Sequence, residues 1–418
     1  MLGVGIFVTP YAIAAATNNQ AEFLISWIIA GITAFLGGIM YFILARKYPV
    51  NGGDYFYLQT FYHKQMGILF FIAMFCFAFP GSMAILASGS AVYLIELLNI
   101  CFHPEKIPNV FLIASVLLIL FGIINLSRKK AAADLQKIIM LLLLGLIIFT
   151  LVYFLFFSDS TPNLGVGLNV SSISIKNLLN AALMAYFSFL GFASIAYIGG
   201  EIPGKTSRYF FAHITAVIVI SVIYLLIVVI YLTHIPFQML QTSQATFFLL
   251  IRADHVYLQV GLTLILMTAS LSSLNVVMLS GARLFEYIVS EELVNWSDIT
   301  INKNNLFNIT IWALVIISIV QLFSNTFEII LSSTVWIILL FSSLTAIGFL
   351  TFWFRKPTEF SNQSNFQWIL ILLYAIFSTT LTVWGILNNL SNTLKGTILI
   401  ILFFLLYHLI QLLSRKSD

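Results

Sequence analysis

The sequence predicts an all-α membrane protein with about twelve transmembrane helices and no soluble domain. Of its 418 residues, 61% are hydrophobic and only 8% are charged, whereas soluble domains carry about 25% charged residues. Apolar runs long enough to cross roughly 30 Å of hydrocarbon recur along the whole chain. Such a surface would not be stable in water, so the lipid bilayer is the predicted solvent.

Eleven of these apolar runs are full length, and a shorter one opens the chain over 2–16. The full-length runs cover 22–45, 66–98, 109–127, 131–157, 176–198, 209–233, 256–290, 306–323, 328–353, 367–388 and 394–413. A helix over 2–16 would rise only about 22 Å, so the first span is predicted to lack its first half. We therefore expect a start codon placed too late or a truncated gene.

Basic residues predict the orientation of the chain. If the first run starts on the cytoplasmic side, fifteen of the nineteen Lys and Arg residues fall in cytoplasmic loops and tails. The positive-inside rule expects this asymmetry, and one missed span would destroy it. The prediction is a multi-pass protein of the cell membrane with both termini cytoplasmic.

Glycine-rich interruptions occur in spans one and six. Gly3 and Gly5 precede Pro10 in the first span, and Gly191 lies in the middle of the sixth. One interpretation is that these glycines only let helices pack closely, as small residues often do in membranes. The other is that both helices are broken near the centre of the bilayer.

Spans one and six hold equivalent positions in two sets of five helices, 1–157 and 176–353. An odd number of helices inverts the second set, so the pattern predicts an inverted repeat, followed by two trailing helices within 367–413. In transporters built this way, the broken helices expose backbone N–H and C=O groups at the substrate site. Those groups suit the carboxylate and the ammonium of an amino acid.

Four segments resemble the amino acid–polyamine–organocation (APC) superfamily. Gly3-Val4-Gly5-Ile6-Phe7 is similar to its G-[SA]-G-I-F signature, and PVNGGDYFYL over 49–58 is similar to its P-x-x-G-G-x-Y-x-Y-L loop. The segment 187–204 resembles its sixth helix with the following acidic residue, here Glu201, and 272–294 resembles its eighth helix with Arg283.

The resemblance implies a five-plus-five inverted repeat and a substrate held at the broken parts of helices one and six. By this resemblance Gly3, Val4 and Gly5 would face the carboxylate, and Phe189, Leu190 and Gly191 would face the ammonium, with Phe189 as an aromatic gate. Ile6 is a further substrate-binding residue that the resemblance implies. Ala193 occupies a place where many proton-coupled relatives carry Glu.

Three further residues have two interpretations each. Tyr93 on the third span either reaches the substrate or only lines a helix interface. Ser272 and Ser273 either join a Na⁺ site or bond to the carbonyl one turn back, and we favour the latter. No other metal site and no cofactor are predicted, because the histidines and cysteines are scattered.

The predicted function is a secondary transporter that moves a small, neutral amino acid by alternating access. The alternatives are an inactive truncated remnant of such a transporter and, less favoured, a membrane-embedded enzyme, which would need His, Asp or Cys residues at a shared depth. The segment 199–206 fits G-x-x-x-x-G-K-[ST], but no α/β domain surrounds it, and no nucleic-acid partner is predicted. The amino acid, the coupling ion and the oligomeric state stay open.

Overall fold

The computed structural model is a bundle of membrane-length helices. It describes residues 4–50, 52–103, 108–126, 131–154, 173–197, 207–250, 256–292, 303–355 and 365–388, with parts of 390–405. Gly3, Glu201, the segment 199–206 and most of the last predicted span lie outside the described residues.

The described helices agree with the predicted spans to within a few residues. They are α1 Gly5–Val8, α2 Pro10–Ala15, α3 Gln20–Lys47, α4 Asp54–Phe61, α5 Lys64–Phe102, α6 Val110–Asn125, α7 Ala131–Val152, α8 Ile175–Tyr197, α9 Ser207–His234, α10 Phe237–Thr242, α11 Val256–Glu292, α12 Lys303–Ser324, α13 Phe327–Arg355 and α14 Asn365–Asn388. Eight of the described helices are long and apolar enough to cross a membrane. The prediction of an all-α multi-pass membrane protein is confirmed.

Helix α12 illustrates how the bundle meets lipid. Ile309, Ile316, Val320 and Phe323 are each more than half exposed, and their spacing places them on one face of the helix. Ile311, Leu314 and Ser318 on the same helix are fully buried. An exposed face of large apolar side chains is suited to hydrocarbon rather than to water.

Helix α5 contains a π-helical turn over Met74–Ala78. Pro80, two residues after this turn, has no N–H to donate to the carbonyl of Cys76, four residues earlier. The side-chain amide of Gln321 on α12 donates to that carbonyl at 3.2 Å. A polar residue of a second span therefore satisfies a backbone group that a proline leaves without its helical donor.

The loop before α4 depends on two glycines with positive φ. Gly52 has φ +117° and Gly53 has φ +54°, a region that favours glycine. A Cβ atom on Gly53 would also lie 2.6 Å from the ring of Tyr197. Both glycines are needed for α4 to begin directly against the end of α8.

Glu22 joins α3 to α8 at the opposite end of the bundle. Its carboxylate is fully buried and accepts the N–H groups of Asn18 at 2.8 Å and Ser174 at 2.7 Å. The side chain of Asn19 in turn accepts the N–H of Glu22, as in a capping box. This buried charge is therefore fully engaged in holding two helix starts together.

Candidate functional site

The first interruption was predicted at the glycines of the first span, but Gly5–Val8 is α-helical and the interruption lies at Thr9, between α1 and α2, before Pro10. Pro10 lacks an N–H, so the carbonyl of Ile6 loses its helical donor. The hydroxyl of Tyr231 on α9 donates to that carbonyl at 3.3 Å. The first interruption thus follows the rule seen at Pro80, in which a distant side chain replaces the missing N–H.

Tyr93 holds the next carbonyl of the same segment. Its fully buried hydroxyl donates to the carbonyl oxygen of Phe7 at 2.7 Å. The ring of Phe7 packs edge-on against Phe247 at 5.1 Å between ring centroids. Tyr93 therefore lines a helix interface, as one of its two interpretations expects, and it does so at the interruption itself.

The second interruption is a change of helix type inside α8. The backbone is α-helical up to Tyr186, forms a 3-10 helix over Phe187–Ala193, and is α-helical again from Ser194. A 3-10 stretch in the middle of a helix has poorer hydrogen-bond geometry and often marks a hinge. The hydroxyl of Ser194 donates to the carbonyl of Gly191 at 2.7 Å. The sixth predicted span is therefore tightened at its glycine rather than pulled apart.

The two interruptions are in direct contact. A Cβ atom on Gly5 would lie 2.5 Å from Oγ and 2.6 Å from Cα of Ser188, so only glycine fits there. The hydroxyl of Thr9 donates to the carbonyl of Gly5 at 3.0 Å and lies 3.3 Å from the hydroxyl of Ser188. The glycine at position 5 is thus explained by the close approach of α1 to the 3-10 segment.

The structure brings some of the predicted site residues together, whereas the ring of Phe189 packs against two other helices. Val4, Gly5 and Ile6 are buried against the 3-10 segment, where Leu190 and Gly191 are partly exposed. The ring of Phe189 contacts Trp27 on α3 and Tyr224 on α9, with centroids 6.1 and 5.2 Å apart. Gly3 lies outside the described residues, and the binding roles of all these residues stay predictions.

Two serines of α11 donate to backbone carbonyls. Ser273 donates to the carbonyl of Ala269 at 3.1 Å, as the favoured interpretation expects. Ser270 donates across to the carbonyl of Leu86 on α5 at 2.8 Å. Ser272 is partly buried. The Na⁺ role of Ser272 and Ser273 stays a prediction.

A cavity of about 470 Å³ opens beside the first interruption. Its wall is formed by α2, the second half of α5, the start of α6 and the start of α13. The lining residues are Val8, Tyr11, Ser88, Gly89, Val92, Tyr93, Pro108, Asn109, Val110, Phe111, Gln244, Asn325, Thr326, Phe327 and Glu328. The cavity reaches Val8 and Tyr93, about one helical turn from Gly5.

Sequence reasoning missed two polar residues of this cavity, Tyr11 and Glu328. Glu328 is the one charged residue among the described residues of the lining, and the hydroxyl of Tyr11 hydrogen-bonds to it. The sequence indicates only that Glu328 lies near a helix end. Pro10 predicts a bend in the backbone next to Tyr11. It does not predict which helix packs against Tyr11 at that bend.

Comparison with known proteins assigns the family. A family model described as amino acid permease matches residues 1–409. The large neutral amino acids transporter small subunit 2 of Mus musculus is 30% identical over 139 residues, which cover 33% of this chain and 26% of that protein. The Asc-type amino acid transporter 1 of Mus musculus is 24% identical over 252 residues, covering 59% of this chain and 47% of that protein.

Solute carrier family 7 member 13 of Rattus norvegicus is 26% identical over 254 residues, covering 59% of this chain and 52% of that protein. The matches thus span about a quarter to a half of the length of these curated relatives. They confirm the resemblance to the APC superfamily and the prediction that the chain is not an enzyme. The chain belongs to the amino acid permease family of that superfamily.

Proposed function

We propose that this chain carries a small, neutral amino acid across the cell membrane by alternating access, with both termini in the cytoplasm. Two of the relatives are named for amino acid transport, one of them for large neutral amino acids. The proposal takes the substrate site to lie where the two interruptions meet.

One observation carries the proposal: the contact between Gly5 and Ser188 joins the two interruptions next to a cavity of ligand size. Ligand pockets commonly have volumes of about 300–1,000 Å³. Val8 and Tyr93 line this cavity, and the hydroxyl of Tyr93 donates to the carbonyl of Phe7 in the segment that follows Gly5 and Ile6. We infer that substrate enters by the cavity and reaches the interruption when these two side chains move.

The neutral specificity follows from the charges near the interruptions. The segments 4–11 and 187–197 contain no charged residue, so a charged substrate side chain would find no oppositely charged partner within them. Glu328, which hydrogen-bonds to Tyr11, lies in the cavity by which substrate enters rather than in either segment. Burying an unpaired charge is costly. The ammonium and carboxylate of the amino acid itself can be bound by backbone carbonyl and N–H groups, as in other carriers with broken helices.

Alternating access would come from the two repeats, 1–157 and 176–353, rocking about this contact. In this arrangement the cavity faces the side to which 98–109 and 325–328 belong, which the charge pattern predicts to be outside. The substrate is released on the other side when the opposite ends of the helices separate.

The test is uptake into proteoliposomes. Purified protein is reconstituted and given a panel of labelled neutral, acidic and basic amino acids, with and without Na⁺ and a pH gradient. We expect uptake of small neutral amino acids above that of empty liposomes, and Gly145→Ala should match the wild type, because nothing lies within 4 Å of that position. Properly inserted protein that moves none of the panel would contradict the proposal.

A further inference from the structure

Asp54, the first residue of α4, is a buried carboxylate bonded by three hydroxyl groups. It is 5% exposed. Tyr41 on α3 donates to Oδ1 at 2.6 Å, Thr345 on α13 donates to Oδ1 at 2.7 Å, and Tyr197 on α8 donates to Oδ2 at 3.4 Å. A single side chain thus ties three long helices together.

This cluster lies at the far end of the bundle from the cavity. Thr345 is eighteen residues from Phe327, which lines the cavity, so the two are about 27 Å apart along α13. Tyr197 follows the 3-10 segment of α8 by one turn. The carboxylate therefore holds the helix half that continues from the second interruption, at the end that would have to open for release.

The surroundings of Asp54 disfavour its charged form. Among the described residues, the titratable groups that face it are the phenols of Tyr41, Tyr57, Tyr186, Tyr197 and Tyr374. Arg46 at the end of α3 and Arg355 at the end of α13 are exposed, and no described cation contributes to its pKa. Burial raises the pKa of Asp54 from 3.8 to about 6, although the hydroxyl bonds lower it in part.

We propose that Asp54 is a proton-binding site that controls this end of the carrier: the protonated side chain stays buried among α3, α8 and α13, and loss of the proton accompanies the separation of these helices. The inference rests on the proposed function, because it assumes that this end opens during transport. Asp54 exchanges its proton with the water at its own end of the bundle. The site therefore responds to the pH on that side of the membrane and does not couple a proton to the substrate.

The direction follows from linkage. When the helices separate, water reaches Asp54 and its pKa returns towards 3.8, so the closed arrangement binds the proton more tightly than the open one. Lowering the pH through about 6 therefore favours closure, and the effect is complete below the hydrated pKa of 3.8. Between about pH 7.5 and pH 5 the ratio of closed to open carriers rises about tenfold.

The experiment varies the pH on the Asp54 side of oriented proteoliposomes and measures exchange of a labelled neutral amino acid. Exchange by the wild type should slow by up to about tenfold between pH 7.5 and pH 5. Asp54→Asn, which is neutral like the protonated acid, should be slow at both values and independent of pH. An Asp54→Asn protein with the same pH dependence as the wild type would overturn the proposal.

Two further variants separate a proton site from a merely structural one. Tyr41→Phe removes a donor that stabilises the carboxylate, so its pH midpoint should move to higher pH. Tyr62→Phe is the control, because this exposed hydroxyl also reaches α13, through the carbonyl of Leu344 at 2.9 Å, without touching Asp54. A midpoint that is unmoved in Tyr41→Phe, or moved equally in Tyr62→Phe, counts against the assignment.

Infrared difference spectroscopy tests the site without transport. The carboxylic C=O band that disappears in Asp54→Asn should titrate near pH 6 in wild-type liposomes, and a midpoint near 4 would reject a buried proton site. If no amino acid is exchanged at any pH, the proposed function fails, and this titration still decides separately whether Asp54 binds a proton.

Discussion

Gly5→Ala tests the contact between the two interruptions. The added methyl carbon would lie 2.6 Å from the backbone Cα of Ser188, whereas ordinary contacts begin at 3.4 Å. The 3-10 segment must therefore move by about 0.8 Å. Overpacking of this kind costs about 1–3 kcal/mol, which alanine's better helix propensity offsets by at most about 1 kcal/mol.

The middle of that range less this offset leaves a net cost of about 1 kcal/mol in the transport-competent state, which corresponds to a fall of about fivefold in rate. The assay is initial uptake of a labelled neutral amino acid at equal amounts of inserted protein, with thermal unfolding in detergent measured in parallel. Gly145→Ala is the matched control, since the same methyl group meets nothing within 4 Å. If Gly5→Ala transports and unfolds like that control, the close contact with Ser188 does not exist in the working protein.

Three other substitutions probe the backbone groups around the site and the loop at Asp54. Tyr231→Phe removes the donor to the carbonyl of Ile6 and should lower the stability of the folded bundle by about 0.6–1.7 kcal/mol, as measured for interhelical hydrogen bonds in membranes. We expect a lower unfolding temperature; an unchanged one would indicate that water already donates to that carbonyl. Gln321→Leu should have a similar effect at the π-helical turn, whereas full stability there would show that the bond to α12 contributes nothing. Gly53→Ala should cost about 1–3 kcal/mol through its positive φ and its clash with Tyr197, and wild-type stability in this variant would refute that loop conformation.

The spans were predictable because hydrocarbon imposes a length and a composition that the sequence displays directly. Helix α3, for example, was expected over 22–45 and is observed over Gln20–Lys47. The short helix α4 was not predicted, because it lies in a loop that has no periodic apolar pattern. The sixth span was expected to be broken, but it stays helical and changes to a 3-10 segment over Phe187–Ala193, because glycine and small residues permit a tighter helix as readily as an open one.

The site was only partly predictable, because its polar contacts join residues far apart in sequence. The proline rule gives the unsatisfied carbonyl of Ile6 from the sequence alone, but it cannot name Tyr231 as the donor. Asp54 appeared only as one letter of a motif resemblance, since its burial depends on α3, α8 and α13 meeting around it. Glu328 likewise became a cavity residue only when α13 packed beside α2.

The most direct test of the substrate site is an experimental structure with a small neutral amino acid bound. We expect ligand density beside Val4–Thr9 and the 3-10 segment, with the ligand's carboxylate or ammonium within hydrogen-bond distance of backbone atoms there. Density for the transported ligand at any other place in the bundle, with this contact still closed, would contradict this expectation.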